Sequence, residues 1–231
     1  MKTTENVSLI GADTARTKAY LQVMLQNGYR FSRAYIMTHD RARLEQEEAA
    51  YVPKEAASEY FDLNEPVLYT LGRTCTPVTF LDTEDINSVD LGKITEEYLV
   101  FSGVGGQILK KELFDKGKRF IHVHPGILPQ FRGSTTIYYS MIKARSCGAS
   151  AIFMSPGIDE GEVIAQETFP LPGRSVDVDH VYEPYIRAVV LVKAISGYVQ
   201  RGEFSAVKQR QDGANTYYII HPVLKHIALN Q

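Results

Sequence analysis

The sequence predicts an α/β fold of the Rossmann-like kind, a mostly parallel central sheet flanked by helices. Three observations at its start predict it. Val7-Ser8-Leu9-Ile10-Gly11 is a short apolar run ending in glycine, a helical pattern covers 14–27, and Ser32 to Met37 reads as the next strand. A parallel pair of strands needs a long crossover, and strand, glycine turn, helix, strand is the usual one.

The elements follow in order. In the first helix Ala19, Leu21, Val23, Met24 and Leu25 form the expected buried stripe, and Gly28 supplies the stop. Arg41 to Glu48 is a charged helical stretch that reads as a solvated face. Pro77 to Leu81, Tyr98 to Gly103 and Phe120 to His124 read as further strands, the last stopped by Pro125. Thr135 to Ala144 reads as a helix, then Ser150 to Met154 and Glu162 to Phe169 as strands. Asp177 to Val199 has the length of a long helix, with Val181, Tyr185, Ala188, Val189 and Val192 on one side. Pro184 either kinks this helix or marks its true start. The tail offers one more strand, Thr216 to Ile220, read as a buried edge strand or as a wall of an acceptor pocket. With no internal repeat or low-complexity linker, the expectation is a single domain over 1–231. Its catalytic core is 1–170, and 171–231 adds a helix and a short strand.

Composition narrows the function classes. Among 231 residues, 25 Lys plus Arg stand against 27 Asp plus Glu, a net charge of -2. No global positive field exists to hold a nucleic acid. Cys75 and Cys147 are too few for a disulfide framework, and both read as reduced packing residues. The amino terminus has neither a leader-like apolar run nor a membrane span, so the expectation is a cytoplasmic protein without a membrane partner.

Chemistry concentrates between Phe120 and Gln166. His122 and His124 alternate on a strand, so they share a face at its carboxyl end, where open α/β sheets bind ligands. A proline-bounded loop follows from Pro125 to Gly133. Gly157-Ile158-Asp159-Glu160-Gly161-Glu162 then sets carboxylates in a tight turn between strands.

His124-Pro125-Gly126-Ile127-Leu128-Pro129, Phe131-Arg132-Gly133 and Asp159-Glu160-Gly161 with Ile164-Ala165-Gln166 resemble the folate-dependent formyltransferases. That family includes glycinamide ribonucleotide formyltransferase, methionyl-tRNA formyltransferase and the sugar N-formyltransferases. Ser102-Gly103-Val104-Gly105-Gly106-Gln107-Ile108-Leu109 resembles its folate-facing strand and loop. The resemblance covers roughly Tyr98 to Phe169 and implies the formyltransferase fold. It also implies 10-formyltetrahydrofolate as cosubstrate and a small-molecule amine as acceptor. By that resemblance His124 is the catalytic histidine, and Asp159 orients it and manages the proton of the attacking amine. Gly105, Gly106, Gln107, Ile108, Leu109, Gly157 and Ile158 would face the folate. Arg132 and Gly133 would face the acceptor, with a plain surface role for Arg132 left open. Formyl transfer to an amine passes through an oxyanion, which needs an aimed donor and a proton acceptor.

Three departures from the family pattern bear on function. The family's asparagine two residues before the histidine is His122 here, and an imidazole donates from one nitrogen when neutral and from both when charged. His122 then either replaces the amide as donor with altered pH dependence, or marks changed chemistry, or is structural. Gly11-Ala12-Asp13-Thr14 puts a carboxylate where the ribonucleotide enzymes hold a phosphate, which argues against that substrate. Ile152 stands where purine-pathway members place a histidine. The expected length of a tRNA-binding enzyme also argues against a nucleic-acid acceptor, leaving an amino sugar on a nucleotide by elimination.

Two rivals remain. His122, His124 and Asp159 form a set that could serve a metal-dependent hydrolase, whereas the transferase reading assigns no metal. A folate-binding protein without transferase activity is the other. The acceptor would lie against Asp40 to Thr76 and the tail beyond Gly173, and the long helix could supply a homodimer face.

Overall fold

The computed structural model describes residues 1–53 and 59–230, in two compact units, 1–121 and 122–231. Residues 54–58 of the expected acceptor loop therefore lie outside the described residues.

The first unit begins with β1 (Lys2–Thr4), β2 (Val7–Gly11), α1 (Ala15–Gln26), β3 (Tyr29–Phe31) and β4 (Ala34–Met37). It continues with α2 (Arg41–Ala50), α3 (Val67–Arg73), β5 (Val78–Leu81), β6 (Tyr98–Ser102) and α4 (Lys111–Phe114). The strand β7 (Arg119–His124) runs from this unit into the next. The order β7-β6-β2-β4-β5 is parallel at every pairing. All five residues of β2 are buried, the continuous apolar run of a strand covered on both faces. Thr14 caps α1 by accepting from the Thr17 amide at 3.2 Å. Ala19, Leu21, Val23 and Met24 are buried as the stripe requires, while Leu25 is half-exposed. In α2 only Leu44 is buried, and Arg41–Glu45 (2.7 Å) and Arg43–Glu47 (2.6 Å) pair along its solvated face.

In the second unit the end of β7 is followed by β8 (Arg132–Gly133), α5 (Thr136–Ala144), β9 (Cys147–Phe153) and β10 (Val163–Phe169). After them come α6 (Glu183–Arg201), β11 (Thr216–Tyr217) and α7 (Pro222–Leu229). The sheet order here is β7, β9, β10, with β10 antiparallel to β9. α6 packs on both β9 and β10, and α5 on β9. The class is therefore α/β with a mostly parallel sheet, as the sequence predicts.

Several details differ from the sequence-based expectation. The strand expected over 32–37 is β4, beginning at Ala34, and the separate short strand β3 ends before it at Phe31. Pro184 lies in the first turn of α6, after a π-helical turn over Val178–Tyr182, so it marks the start and not a kink. The buried apolar stripe of α6 is Ile186, Val190, Leu191, Ala194, Ile195 and Tyr198, with Ala188 beside it. It is rotated from the expected one, of which only Ala188 is buried. The tail strand is two residues long, and Tyr218 and Ile219 are 80% and 81% exposed, so a buried edge strand over 216–220 does not form. Cys147 is buried, whereas Cys75 is exposed and packs no core; both are free thiols. No helix among the described residues is long and apolar enough to cross a membrane.

Candidate active site

The second unit gathers His122, His124 and Asp159. One nitrogen from each ring and one carboxylate oxygen all lie within 4.8 Å of one another. The alternation of β7 turns both histidines to the same side and the buried Ile121 and Val123 to the other. His124 is 2% exposed, and His122 is half-buried.

The loop after β7 fixes the His124 ring. At Gly126 an added Cβ would stand 2.8 Å from the Phe131 carbonyl oxygen and 3.1 Å from His124 Nε2. Only glycine lets the returning chain lie so close, which brings the Phe131 carbonyl to 2.6 Å from Nε2. The Thr136 hydroxyl, at the start of α5, donates to the Pro125 carbonyl (2.8 Å) and so faces Nε2 (3.1 Å) with its oxygen. Both neighbours of Nε2 are acceptors, so Nε2 carries a proton. Ser150 on β9 holds the loop from beneath, donating to the Gly126 carbonyl (2.8 Å) and accepting from the Leu128 amide (3.2 Å).

Asp159 reaches the other nitrogen. Its backbone has φ +53°, a left-handed conformation that aspartate tolerates in turns. Its Oδ2 accepts from the Gly133 amide at 2.9 Å and lies 3.3 Å from His124 Nδ1. Gly133 has φ +96°, and a Cβ there would collide with the Tyr217 carbonyl, because β8 pairs with β11 at that residue. Burial raises the Asp159 carboxyl, but the His124 hydrogen bond, the charges of His124 and His122 and the Gly133 amide together hold it down at about 2. An ionised Asp159 beside Nδ1, with Nε2 already protonated, makes the hydrogen-bonded form of the pair an imidazolium–carboxylate.

Arg132 is 4% exposed, which overturns the reading of it as a plain surface residue. Its guanidinium donates to the side-chain oxygens of Gln209 (2.8 and 3.1 Å) and Gln211 (3.3 Å) and lies 3.7 Å from Glu160. Gln209 in turn donates to the carbonyls of Asp159 (2.7 Å) and Gly161 (2.8 Å), bracing the acidic turn. Tyr217 stacks on Phe131 with centroids 5.6 Å apart and lies 4.5 Å from the Tyr139 ring. The tail thus supports the loop that holds His124. Gly157 and Ile158 sit on the same turn as Asp159, with Ile158 59% exposed. Thr136, Ser150, Gln209 and Gln211 were not singled out in the sequence; each acts through a polar contact made across the fold and leaves no local pattern.

The loop Gly105 to Leu109 belongs to the first unit. Gln107 bonds the Glu84 carbonyl, and Asn87 donates to the Ile108 carbonyl (3.1 Å) and accepts from the Lys110 amide (2.8 Å). Leu109 is buried, Gly106 has φ +84°, and the Ile108 side chain is 69% exposed. Arg16 ties the start of the segment by donating to the Ser102 hydroxyl (3.1 Å). In the turn after β2, Asp13 lies 3.3 Å from Arg43 and 3.8 Å from Lys18. Two cations thus offset the carboxylate that the sequence offers as a barrier to phosphate.

A buried histidine–carboxylate pair thus stands at the carboxyl end of a sheet strand, the edge at which open α/β sheets bind ligands. The formyl transferase family model matches residues 7–183, and the chain belongs to that family. Among curated relatives, the methionyl-tRNA formyltransferase of Finegoldia magna is 26% identical over 158 residues, 68% of this chain and 50% of the relative. That of Syntrophus aciditrophicus is 29% identical over 154 residues, 66% of this chain and 45% of the relative. The chain thus spans about half the length of the curated relatives it matches. Among solved structures, a sugar N-formyltransferase from Shewanella sp FDAARGOS_354 aligns over 96% of this chain and 86% of its own, with TM-score 0.58 and 20% identity. An N-formyltransferase from Helicobacter canadensis, in complex with folinic acid and dTDP-3-aminofucose, aligns over 93% and 71%, with TM-score 0.54 and 14% identity. These likenesses show the fold.

Proposed function

We propose that the chain transfers a formyl group from 10-formyltetrahydrofolate to the primary amine of a small molecule, an amino sugar carried on a nucleotide. The observation that carries this reading is the His124–Asp159 pair, with Nε2 tied to Phe131 and Nδ1 facing the carboxylate. The folate and amino-sugar ligands of the Helicobacter canadensis protein support the two substrates. In this reading the amine attacks the formyl carbon, and the carbonyl electrons move onto oxygen. His124, fixed at both nitrogens, supplies positive charge to that oxyanion, and His122 aims an N–H at it. Asp159 takes the proton that the amine sheds and the proton passes on to N10, so that collapse of the intermediate breaks the C–N10 bond and expels neutral tetrahydrofolate. In this reading Gly105 to Leu109 of the first unit carry folate contacts, and so do Gly157 and Ile158 of the second. Gly133 and Arg132 shape the acceptor side, Gly133 through its amide on Asp159. The protein works as one domain in the cytoplasm, without nucleic acid or membrane, and α6 is available to a homodimer.

Calorimetric titration with a non-transferable 10-formyltetrahydrofolate analogue tests the reading, followed by transfer assays on nucleotide-linked amino sugars. Micromolar binding and turnover are expected. Absence of binding at millimolar analogue, in folded protein, would overturn it.

A further inference from the structure

The side chain that departs from the family pattern gives the site a donor set that an asparagine would not. We propose that His122, His124 and Asp159 bind one divalent transition-metal ion of the zinc class, and that the bound ion silences formyl transfer. The binding half stands on the ligand set alone; the silencing half rests on the proposed function.

Two imidazole nitrogens and one carboxylate oxygen are the borderline donors that suit zinc, cobalt or nickel, while magnesium and calcium prefer oxygen alone. Three protein ligands leave an open coordination position. The atoms lie within 4.8 Å of one another, and the His124 Nδ1–Asp159 Oδ2 separation is already 3.3 Å. Ligand atoms around a tetrahedral zinc stand about 3.3 Å apart, so the half-buried His122 has a short distance to close.

A second observation concerns how the ligands are held. Histidines that bind metals hand their other N–H to a carbonyl or carboxylate, which fixes the tautomer and turns the free lone pair inward. His124 makes that contact through Nε2 to Phe131, leaving Nδ1 as the nitrogen turned to Asp159. The Gly133 amide likewise fixes the Asp159 carboxylate from outside the set.

The ion and the proton compete for the same place. In the transferase form a proton sits between Nδ1 and Oδ2; a metal takes both lone pairs and expels that proton. The imidazolium charge and the proton-accepting carboxylate disappear together, so the metal-bound enzyme has neither of the groups formyl transfer needs.

The test uses tag-free, chelator-stripped protein titrated with Zn²⁺ by calorimetry and with Co²⁺ by absorption spectroscopy. The expected result is one equivalent bound at micromolar concentration or below, with visible cobalt bands and proton release. His122→Asn and Asp159→Asn should each weaken binding by more than about 10-fold, with folding checked by thermal melts. A double variant His39→Ala/His180→Ala, which removes two surface His–Asp pairs, should keep the full equivalent. Binding of less than one equivalent at about 100 µM Zn²⁺, or wild-type affinity in folded His122→Asn, overturns the site. Cobalt bands that vanish in His122→Asn, in a protein that binds no folate analogue, would keep the site and overturn the silencing.

Discussion

The carbonyl oxygen of Phe131 stands 2.6 Å from Nε2 of His124, and this contact decides which nitrogen faces Asp159. A carbonyl can only accept, so the proton on Nε2 is set by backbone geometry and not by the ligand. The remaining nitrogen, at 3.3 Å from the carboxylate, becomes the responsive one. The sequence motif names the histidine and the aspartate, but the residue that assigns their roles is the phenylalanine between them, through its main chain.

Replacing Asp159 by Asn keeps the shape and removes the charge. Turnover should fall by roughly 10²–10⁴-fold, the usual span for a lost general base. Affinity for the folate analogue should stay within a few-fold. Steady-state kinetics beside calorimetry separates the two effects.

The same carboxylate makes stability depend on acid. Its folded value of about 2 lies below the ordinary 3.8, so its stabilising contribution is complete above pH ~4 and is lost as pH falls through about 2. The loss amounts to about 2 kcal/mol. Denaturant melts between pH 5 and 2 should show a slope in wild type that Asp159→Asn reduces.

Gly133→Ala should be among the costliest single-methyl additions in the chain. The added carbon meets the Tyr217 carbonyl, and φ +96° strains any L side chain. Loss of about 2 kcal/mol or more is expected, from thermal unfolding. Gly28→Ala, with a similar positive φ but nothing within 4 Å, should cost less and so isolates the collision.

Ser150→Ala strips the support beneath the histidine loop. The Gly126 carbonyl loses its donor and the Leu128 amide its acceptor, at a cost of about 1–3 kcal/mol. Activity should fall further than Ser150→Thr makes it fall, if the loop is what positions His124.

Restoring the family residue with His122→Asn should change the pH profile of transfer. An amide donates at any pH, whereas a histidine's donors depend on its charge. The variant's rate should vary less with pH than the wild-type rate. A profile unchanged by the substitution would remove His122 from the oxyanion's surroundings.

The sheet is legible because buried parallel strands are near-continuous apolar runs: β2, β4 and β6 announce themselves in the chain. The shared face of His122 and His124 followed from strand alternation. By contrast, β8 and β11 are two residues each and pair across more than eighty positions, so neither has a local signature. In α7 the signal was present, a His221 cap accepting from Val223 and a proline in the first turn, but His221-Pro222 reads equally as a terminator. Val189 and Val192 are as apolar as the residues of α6 that face the core, so composition alone does not orient its buried stripe. Arg132 looked like a surface cation because its neutral partners, Gln209 and Gln211, come from a remote segment.

The cradle around the active pair is built largely from main chain: the Phe131 carbonyl, the Gly133 amide and the close pass at Gly126. A change at residue 122 leaves those three in place. Histidine and asparagine codons differ by one base, so a lineage could exchange an imidazole for an amide here in a single mutational step. The scaffold would pass through that step unaltered, and selection would act on chemistry alone.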